Sequence, residues 1–231
     1  MLDLSKIKQI PSPNFQPRGG NVPQIIVLHC PVATYDVALR TLTDPHNPKG
    51  RVSAHYLVDT TGAIVQLVQL ADAAWHAMHY PNMIGIGIEM VDKYMVGGYA
   101  TRGCMSDPQW FTAPQLNAVA ELVAALMAKF NIPLNKVMGH NDMWLRQFGN
   151  NHQDPGPYFP WVNFKGLVQK ALKPVQISSL TTTIPELEIP TIHIPIPTKL
   201  DIPLTAPRPE KPRKKRGRRL IKPPKRNRIY E

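Results

Sequence analysis

Proline and basic residues are concentrated in the last quarter of the chain. This composition constrains the structure of that segment more than any other feature of the sequence. Residues 174–231 hold 11 of the 25 prolines, and their 13 Lys/Arg against five Asp/Glu carry about +8 of the formal net charge of +11. Repeated Ile-Pro pairs suit polyproline II and defeat helix or sheet hydrogen bonding. We therefore predict a Pro-rich and then basic, disordered tail over residues 174–231.

The preceding residues alternate strand and helix signals. Short apolar runs predict strands at residues 24–29, 84–90 and 136–139, and a hairpin of residues 52–59 and 63–69 around a glycine turn. Helices are predicted at residues 34–42, capped by Thr34, at 112–129 and at 161–172. Thr112 supplies the N-cap of the second helix, and Gln115 stands at the N3 position of a capping box. The alternation of isoleucine and glycine in 84–90 predicts that a group packs closely over the glycine face of that strand.

Strands mixed with a few helices indicate an α/β domain, with a central mixed β-sheet flanked by helices. We place it at residues 22–173, after an N-terminal extension of residues 1–21. The first 173 residues together carry a net charge near +3, which is ordinary for an enzyme.

Three potential metal ligands stand at the ends of separate segments of this domain. His29 and His140 each close a short apolar run, and Asp154 opens an Asp-Pro-Gly-Pro loop. A histidine at the exit of a strand lies at the rim of a cleft rather than in the core. A catalytic zinc site typically takes three N, O or S ligands and leaves a fourth position open. The three residues are therefore a candidate zinc site.

Only two cysteines occur, so a disulfide framework is not expected. Side chains alternate along a strand, so Cys30 should point away from His29 and be buried. No apolar run approaches the roughly 18–20 residues of a membrane span, and the N-terminus shows no secretory signal. We expect a protein made in the cytoplasm, and a monomer.

Seven motifs together resemble the zinc N-acetylmuramoyl-L-alanine amidases of the type 2 amidase and peptidoglycan-recognition superfamily. The resemblance covers residues 22–172 with the motifs in matching order, and the tail has no counterpart in it. Besides the strand that ends at His29, the motifs are Val52-Ser-Ala-His-Tyr-Leu-Val58, Gly62-Ala-Ile-Val-Gln66, Ala74-Trp-His-Ala77, Ile86-Gly-Ile-Glu89, Gly139-His140 and Asp154-Pro-Gly-Pro157.

The resemblance implies hydrolysis of the amide between N-acetylmuramic acid and the L-alanine of the peptidoglycan stem peptide. It implies Zn2+ as the cofactor, with His29, His140 and Asp154 as its ligands. Glu89 matches the catalytic glutamate, which would take a proton from the attacking water and pass it to the leaving amine. The alternative is that Glu89 is a surface glutamate at a strand end with no catalytic role.

His152 and Ala54 depart from the family pattern at positions tied to catalysis. Relatives often carry lysine two residues before the aspartate, where this chain has His152. An imidazole N–H also stabilises a developing oxyanion, so we predict that role for His152 rather than that of a bland loop histidine. Some relatives carry a tyrosine immediately before the hairpin histidine, where this chain has Ala54. Tyr56 lies one position beyond that histidine and should face the opposite side of the sheet.

Further residues resemble those that line the substrate groove. Trp75 offers an apolar face, His76 a hydrogen bond to the stem peptide, and Asn82 a peptide contact, although a tryptophan is more often a core residue. Gly85 occupies a position frequently held by serine, so one polar contact is expected to be missing. For His55, orientation of a metal ligand and a plain core role remain equally open.

Three classes of function remain open. The first is an amidase that lyses the bacterial cell wall, such as an antimicrobial phage endolysin released through a holin-type pore, or a muropeptide-recycling amidase of the same chemistry. The second is a module that binds peptidoglycan without cleaving it. The third is a nucleic-acid-binding protein, which the charge of the tail permits but its lack of aromatic residues disfavours. We expect the tail to be a solvated segment or to bind anionic wall polymers or a membrane surface.

Overall fold

A six-stranded mixed sheet forms the centre of the computed structural model, which describes residues 1–48, 50–91, 110–142 and 153–173. The strands are β1 Lys8–Gln9, β2 Phe15–Pro17, β3 Ile25–His29, β4 Tyr56–Val58, β5 Ile64–Gln66, β6 Asp72–Ala74, β7 Gly85–Met90 and β8 Val137–Gly139. The strand order of the central sheet is β1-β5-β4-β7-β3-β8. A second sheet pairs β2 with β6. Predictions about His152 and the tail lie outside the described residues.

The predicted α/β architecture is confirmed, including the hairpin. β4 and β5 are antiparallel, whereas β3 is parallel to both β7 and β8, and β4 is parallel to β7. The hairpin strands are shorter than predicted. Gly62 lies at the turn with φ 87°, in the left-handed region, and a Cβ there would lie 2.9 Å from the backbone oxygen of Pro114. Only glycine meets both conditions without strain.

Within the described residues, the α-helices with defined bounds are α1 Tyr35–Thr43, α2 His79–Ile84, α3 Ala113–Phe130 and α4 Trp161–Leu172. Short 3-10 helices span Leu4–Lys6 and Leu134–Lys136. The predicted caps at Thr34 and Thr112 are confirmed, since each hydroxyl accepts a backbone N–H three residues later. No described helix is long and apolar enough to cross a membrane.

The capping-box prediction for Gln115 is only half right. Its backbone N–H donates to Thr112, but its side chain is fully buried and donates to the carbonyl oxygens of Val58 and Val91 at 3.2 and 3.0 Å. The amide therefore fastens the start of α3 to the ends of β4 and β7. The side chain of Gln115 therefore makes tertiary hydrogen bonds instead of returning to the helix cap.

Residue alternation along the strands assigns the two faces of the sheet. Ile26, Leu28, Tyr56 and Ile88 belong to the larger core cluster with residues of α3 and α4, and so does Cys30. Leu57, which precedes Val58 in β4, instead packs in a second cluster with residues of α1. The predictions that Cys30 is buried away from His29 and that Tyr56 faces the opposite side are thus confirmed. His29 and Glu89 alternate onto the face that carries α1.

The segment predicted as an N-terminal extension is part of the folded domain. β1 runs parallel to β5 at the sheet edge, and β2 pairs with β6. Arg18 is 3% exposed and donates to backbone oxygens of Leu70, Met83 and Gly85 at 2.7–3.0 Å. The short strands of residues 1–21 gave no usable periodicity, so only the pairing partners reveal them.

Candidate active site

Two histidines meet because they end neighbouring parallel strands. His29 is the last residue of β3, and His140 follows β8 directly. The carboxyl ends of parallel strands share one edge of the sheet, where ligands of α/β proteins commonly bind. The backbone N–H of Asn141 donates to the backbone oxygen of Asp154 at 3.1 Å, which brings the third predicted ligand to the same edge.

Gly139 makes room for the loop that carries the aspartate. A Cβ on residue 139 would lie 2.7 Å from Cδ of Pro155 and 2.5 Å from the side-chain oxygen of Asn141. Because real Cβ atoms do not approach other atoms so closely, a larger residue here would push the Asp154 loop away from His140. The Gly-His and Asp-Pro motifs are therefore physically linked although they lie far apart in sequence.

The three predicted ligands converge in the structure. Nδ1 of His29 lies 3.1 Å from one carboxylate oxygen of Asp154, and Nδ1 of His140 lies 3.2 Å from the other. One donor atom of each residue lies within 4.8 Å of the other two. Burial alone would raise the pKa of Asp154, but hydrogen bonds with His140 and His29 outweigh it and hold that pKa well below its ordinary value.

This donor set fits a zinc ion. Zinc binds imidazole nitrogen and carboxylate oxygen, and three protein ligands leave a position for water or substrate in catalytic sites. The two histidines are buried and Asp154 is nearly so, which limits competition from bulk water. A divalent cation would satisfy the lone pairs of all three groups at once, whereas a direct contact needs a proton between each pair.

Glu89 stands beside this group. In the parallel pair β3–β7, residue 89 is in register with His29, so both side chains leave the same face of the sheet. Glu89 is half-buried and lines a cleft of about 250 Å³ together with His29, His140 and Asp154. The register explains how a strand residue reaches the predicted metal site. Its role as a general base stays a prediction.

Trp75 forms part of the wall of the same cleft. It is half-buried, and its indole N–H donates to the side-chain oxygen of Gln16 in β2 at 3.1 Å. The guanidinium of Arg51 lies 4.8 Å from the centre of its ring. Its backbone N–H donates to the hydroxyl of Ser53 at 2.9 Å. The indole is thus held at the cleft edge, where its predicted contact with substrate stays a prediction.

His76 is half-buried and lines the same cleft as Trp75. Its Nδ1 lies 3.0 Å from Nε2 of His29, and its Nε2 is buried without a hydrogen-bond partner among the described residues. The hydrogen bond from His76 to the stem peptide stays a prediction. Burial, followed by neighbouring imidazoles and Arg18, holds the pKa of His76 well below its ordinary value.

The side chains of Asn82 and His55 both accept hydrogen bonds from backbone N–H groups. Oδ1 of Asn82 accepts the N–H groups of His76 and Ala77 at 3.0 and 2.7 Å, and this residue is only 7% exposed. Its peptide contact stays a prediction. His55 is fully buried, and its Nδ1 accepts the N–H of Gly87 at 3.0 Å.

The ring of His55 also contacts a cation that the sequence interpretation missed. Nη2 of Arg18 lies 2.8 Å from Nε2 of His55, and the backbone oxygen of Asp72 lies 3.2 Å from the same nitrogen. Burial, then Arg18, lowers the pKa of His55 to about 3. Of the two roles left open, the contacts favour a buried histidine that fixes backbone. No motif surrounds Arg18, so no sequence signal pointed to it.

Comparison with known proteins identifies relatives of this domain. The N-acetylmuramoyl-L-alanine amidase family profile matches residues 19–157. N-acetylmuramoyl-L-alanine amidase A of Achromobacter lyticus is 27% identical over 169 residues, which cover 65% of this chain and 85% of that protein. 1,6-anhydro-N-acetylmuramyl-L-alanine amidase AmpD of Citrobacter freundii is 27% identical over 188 residues, which cover 71% of this chain and 91% of that one.

Solved structures agree on the fold. A selenomethionine derivative of AmpD superposes with a TM-score of 0.57 at 27% identity, over 73% of this chain and 99% of the other. The amidase LysC of Clostridium intestinale superposes with a TM-score of 0.54 at 20% identity, over 71% and 97% of the two chains. The second likeness concerns the fold alone.

Proposed function

The chain belongs to the N-acetylmuramoyl-L-alanine amidase family, and from this premise we propose that it is a zinc hydrolase that lyses bacterial cell wall. The bond cleaved is the amide between N-acetylmuramic acid and L-alanine of peptidoglycan. The observation that carries the proposal is the convergence of His29, His140 and Asp154 beside Glu89 in one cleft. A binding module without catalysis would not need a carboxylate base next to a complete ligand set.

The residues divide the chemistry between them. His29, His140 and Asp154 would hold the ion. Zinc, when bound, supplies Lewis acidity that polarises a carbonyl and lowers the pKa of water from 15.7 to about 7. Glu89 accepts the proton of the attacking water as the new C–O bond forms, and returns it to the amide nitrogen as the C–N bond breaks. The products are the lactyl carboxylate and a peptide with a free L-alanine amine.

The lining of the cleft supports this assignment. It includes the metal-site residues, Trp75, and apolar residues of and around α1 such as Ala38 and Leu42. An apolar wall with a few convergent polar groups is typical of small-molecule and substrate sites. His152 is proposed to donate an N–H to the developing oxyanion, in place of the family's lysine.

Product analysis tests the reaction directly. Purified peptidoglycan is digested with the full-length protein, and the soluble products are identified by mass spectrometry. Free stem peptides that begin with L-alanine are expected. New reducing sugar ends would instead indicate a glycosidase. Metal analysis should give one zinc per chain, and exhaustive chelation should abolish activity until zinc is restored; full activity after chelation would contradict the zinc proposal.

The basic tail is proposed to tether the enzyme to anionic wall polymers or to a membrane surface. Residues 211–219 alone contain seven Lys/Arg. Replacing these seven with glutamine in the full chain should weaken binding to whole walls at low salt while leaving hydrolysis of small soluble muropeptides unchanged. Wall binding that is equally strong in both proteins, or that does not fall with added salt, would exclude the tether.

A lytic role predicts that added protein clears a suspension of bacterial walls. A recycling amidase would instead cleave small muropeptides and leave the turbidity of intact walls unchanged. Strongly salt-dependent DNA affinity without wall hydrolysis would support the nucleic-acid alternative.

A further inference from the structure

The imidazole of His76 packs against His29, one of the proposed metal ligands, on the side of the ring that faces away from Asp154. Nδ1 of His29 faces Asp154, and Nε2, on the other side of the ring, lies 3.0 Å from Nδ1 of His76. The two rings meet edge to face, with centroids 5.1 Å apart and an interplanar angle of 84°. This geometry directs one ring nitrogen of His76 at one ring nitrogen of His29.

The contact constrains where the proton of His29 resides. A neutral imidazole carries one N–H and one lone pair. If the lone pair of Nδ1 is to bind a metal, the proton must reside on Nε2, and a hydrogen bond from that N–H needs an acceptor. Nδ1 of His76 lies 3.0 Å from Nε2 of His29, where it can serve as that acceptor.

We propose that His76 is a positioning residue, which accepts the Nε2–H of His29 and so holds the Nδ1 lone pair of His29 toward the zinc ion. This inference rests on the proposed zinc site. Ligand histidines usually donate their second N–H to a carboxylate, a backbone carbonyl or a water, and such partners raise metal affinity. Here the acceptor is a second neutral imidazole.

Two glycines of strand β7 leave space for the His76 ring. A Cβ on Gly87 would lie 2.5 Å from Cγ of His76, and one on Gly85 would lie 3.0 Å from Cε1. Both glycines therefore leave the space that the imidazole fills, which explains the Ile-Gly alternation of β7.

The backbone around His76 is fixed on both sides. Asn82 accepts the N–H groups of His76 and Ala77, and Ser53 holds the neighbouring Trp75. The turn that follows contains Met78 and His79 with φ of 57° and 46°, which are unfavourable for residues other than glycine. Such a turn persists only where surrounding contacts determine it.

The buried nitrogen of His76 argues that the ring is more than filler. With Nδ1 as acceptor, the proton of His76 resides on Nε2, which is buried without a partner among the described residues. An unpaired buried donor costs about 1–3 kcal/mol. A phenylalanine would fill similar space without that cost, so the benefit lies in Nδ1, the nitrogen that faces His29.

Two variants of the full-length protein separate the hydrogen bond from the packing. His76→Phe keeps a ring but removes the acceptor, whereas His76→Asn keeps an acceptor oxygen near the position of Nδ1. Zinc affinity is measured by competition with a chromophoric chelator, and the cobalt-substituted proteins are compared by visible absorption. Far-ultraviolet circular dichroism and urea unfolding of the metal-free proteins establish that each variant is folded.

We expect His76→Phe to bind zinc 10–100-fold more weakly than wild type and to shift the cobalt spectrum. His76→Asn should recover most of the affinity and a spectrum close to that of wild type. If His76→Phe does not fold, His76→Leu replaces it with the same expected loss. Unchanged zinc affinity and an unchanged cobalt spectrum in the folded acceptor-free variant would overturn the proposal.

Steady-state kinetics distinguish this role from substrate binding. A residue that only contacts the peptide would raise KM with zinc affinity unchanged, and that result would also overturn the proposal. Failure of the proposed function itself has a different signature, because wild type would then bind no zinc. The His29→Ala variant, which lacks a ligand, sets the lower limit of affinity in the same titration.

Discussion

Replacing Gly87 with alanine tests whether the fold of the strand and the geometry of the metal site depend on the same close contact. The new Cβ would lie 2.5 Å from Cγ of His76 and 2.8 Å from both Nδ1 and Cδ2. Non-bonded carbon atoms prefer about 3.5–4.0 Å. The imidazole would therefore have to shift by about 1 Å. Cγ is the ring atom bonded to Cβ of His76, so it cannot move aside as the end of a flexible side chain could.

That displacement has two consequences. Overpacking of a well-packed site costs about 1–3 kcal/mol, of which about 0.4–1 kcal/mol is offset because alanine restricts the unfolded chain more than glycine. A net loss of about 1–2 kcal/mol in the free energy of unfolding follows. In addition, Nδ1 of His76 lies only 2.8 Å from the added Cβ, so its 3.0 Å contact with His29 would be disturbed and zinc affinity should fall.

Gly166 offers a matched control within the same chain. It lies in α4, is exposed, and an added Cβ would meet nothing within 4 Å. Alanine is favoured over glycine in a helix by about 0.5–1 kcal/mol, so Gly166→Ala should stabilise the protein and leave zinc affinity unchanged. The same chemical change thus has opposite expected signs at the two positions.

Urea unfolding in the presence of a chelator measures the stability of both variants, and the chelator competition assay measures zinc affinity. If Gly87→Ala were as stable as Gly166→Ala and bound zinc as tightly as wild type, the strand would accommodate the added methyl group with little cost in free energy. Such a result would show that His76 does not require glycine at position 87.

Further outcomes are expected from the site. Glu89→Gln should retain zinc and lose about 10²–10⁴-fold in amide hydrolysis, the usual contribution of a general base; a loss below tenfold would argue against it. Asp154→Ala should lose zinc as measured by metal analysis, and zinc at wild-type stoichiometry would remove it from the ligand set. His152→Ala should retain zinc and lose at least tenfold in activity, and a smaller loss would refute its oxyanion role. The pKa of His55 is held at about 3 against an ordinary value near 6.5, so the unfolded chain binds a proton that the folded chain does not. Stability of the chelated protein should therefore fall as pH is lowered from about 6.5 toward 3, by up to about 1.4 kcal/mol per pH unit from this group. His55 is faced by Arg18, the ring of His76 and the backbone of Asp72. His76 adds to the same trend because its pKa is also lowered, and a flat profile in urea unfolding would contradict this assignment.

Local signals in the sequence determined the elements and the identity of the three convergent groups. The strand that ends at His29, the N-caps at Thr34 and Thr112 and the turn at Gly62 each depend on periodicity, capping or backbone conformation within a few residues. The resemblance in motif order added Glu89 to the set. The isoleucine–glycine alternation predicted close packing over β7 without indicating which group packs there.

Tertiary structure decided what each polar side chain contacts. His76 meets His29 across 47 positions, Arg18 meets His55 across 37, and Gln115 reaches Val58 across 57. A hydrogen bond between residues so far apart leaves no local pattern, because it depends on strand order and on which face each strand presents. The sequence by itself therefore predicted the amidase domain and its candidate ligands, whereas only the assembled sheet showed which buried groups lie against those ligands.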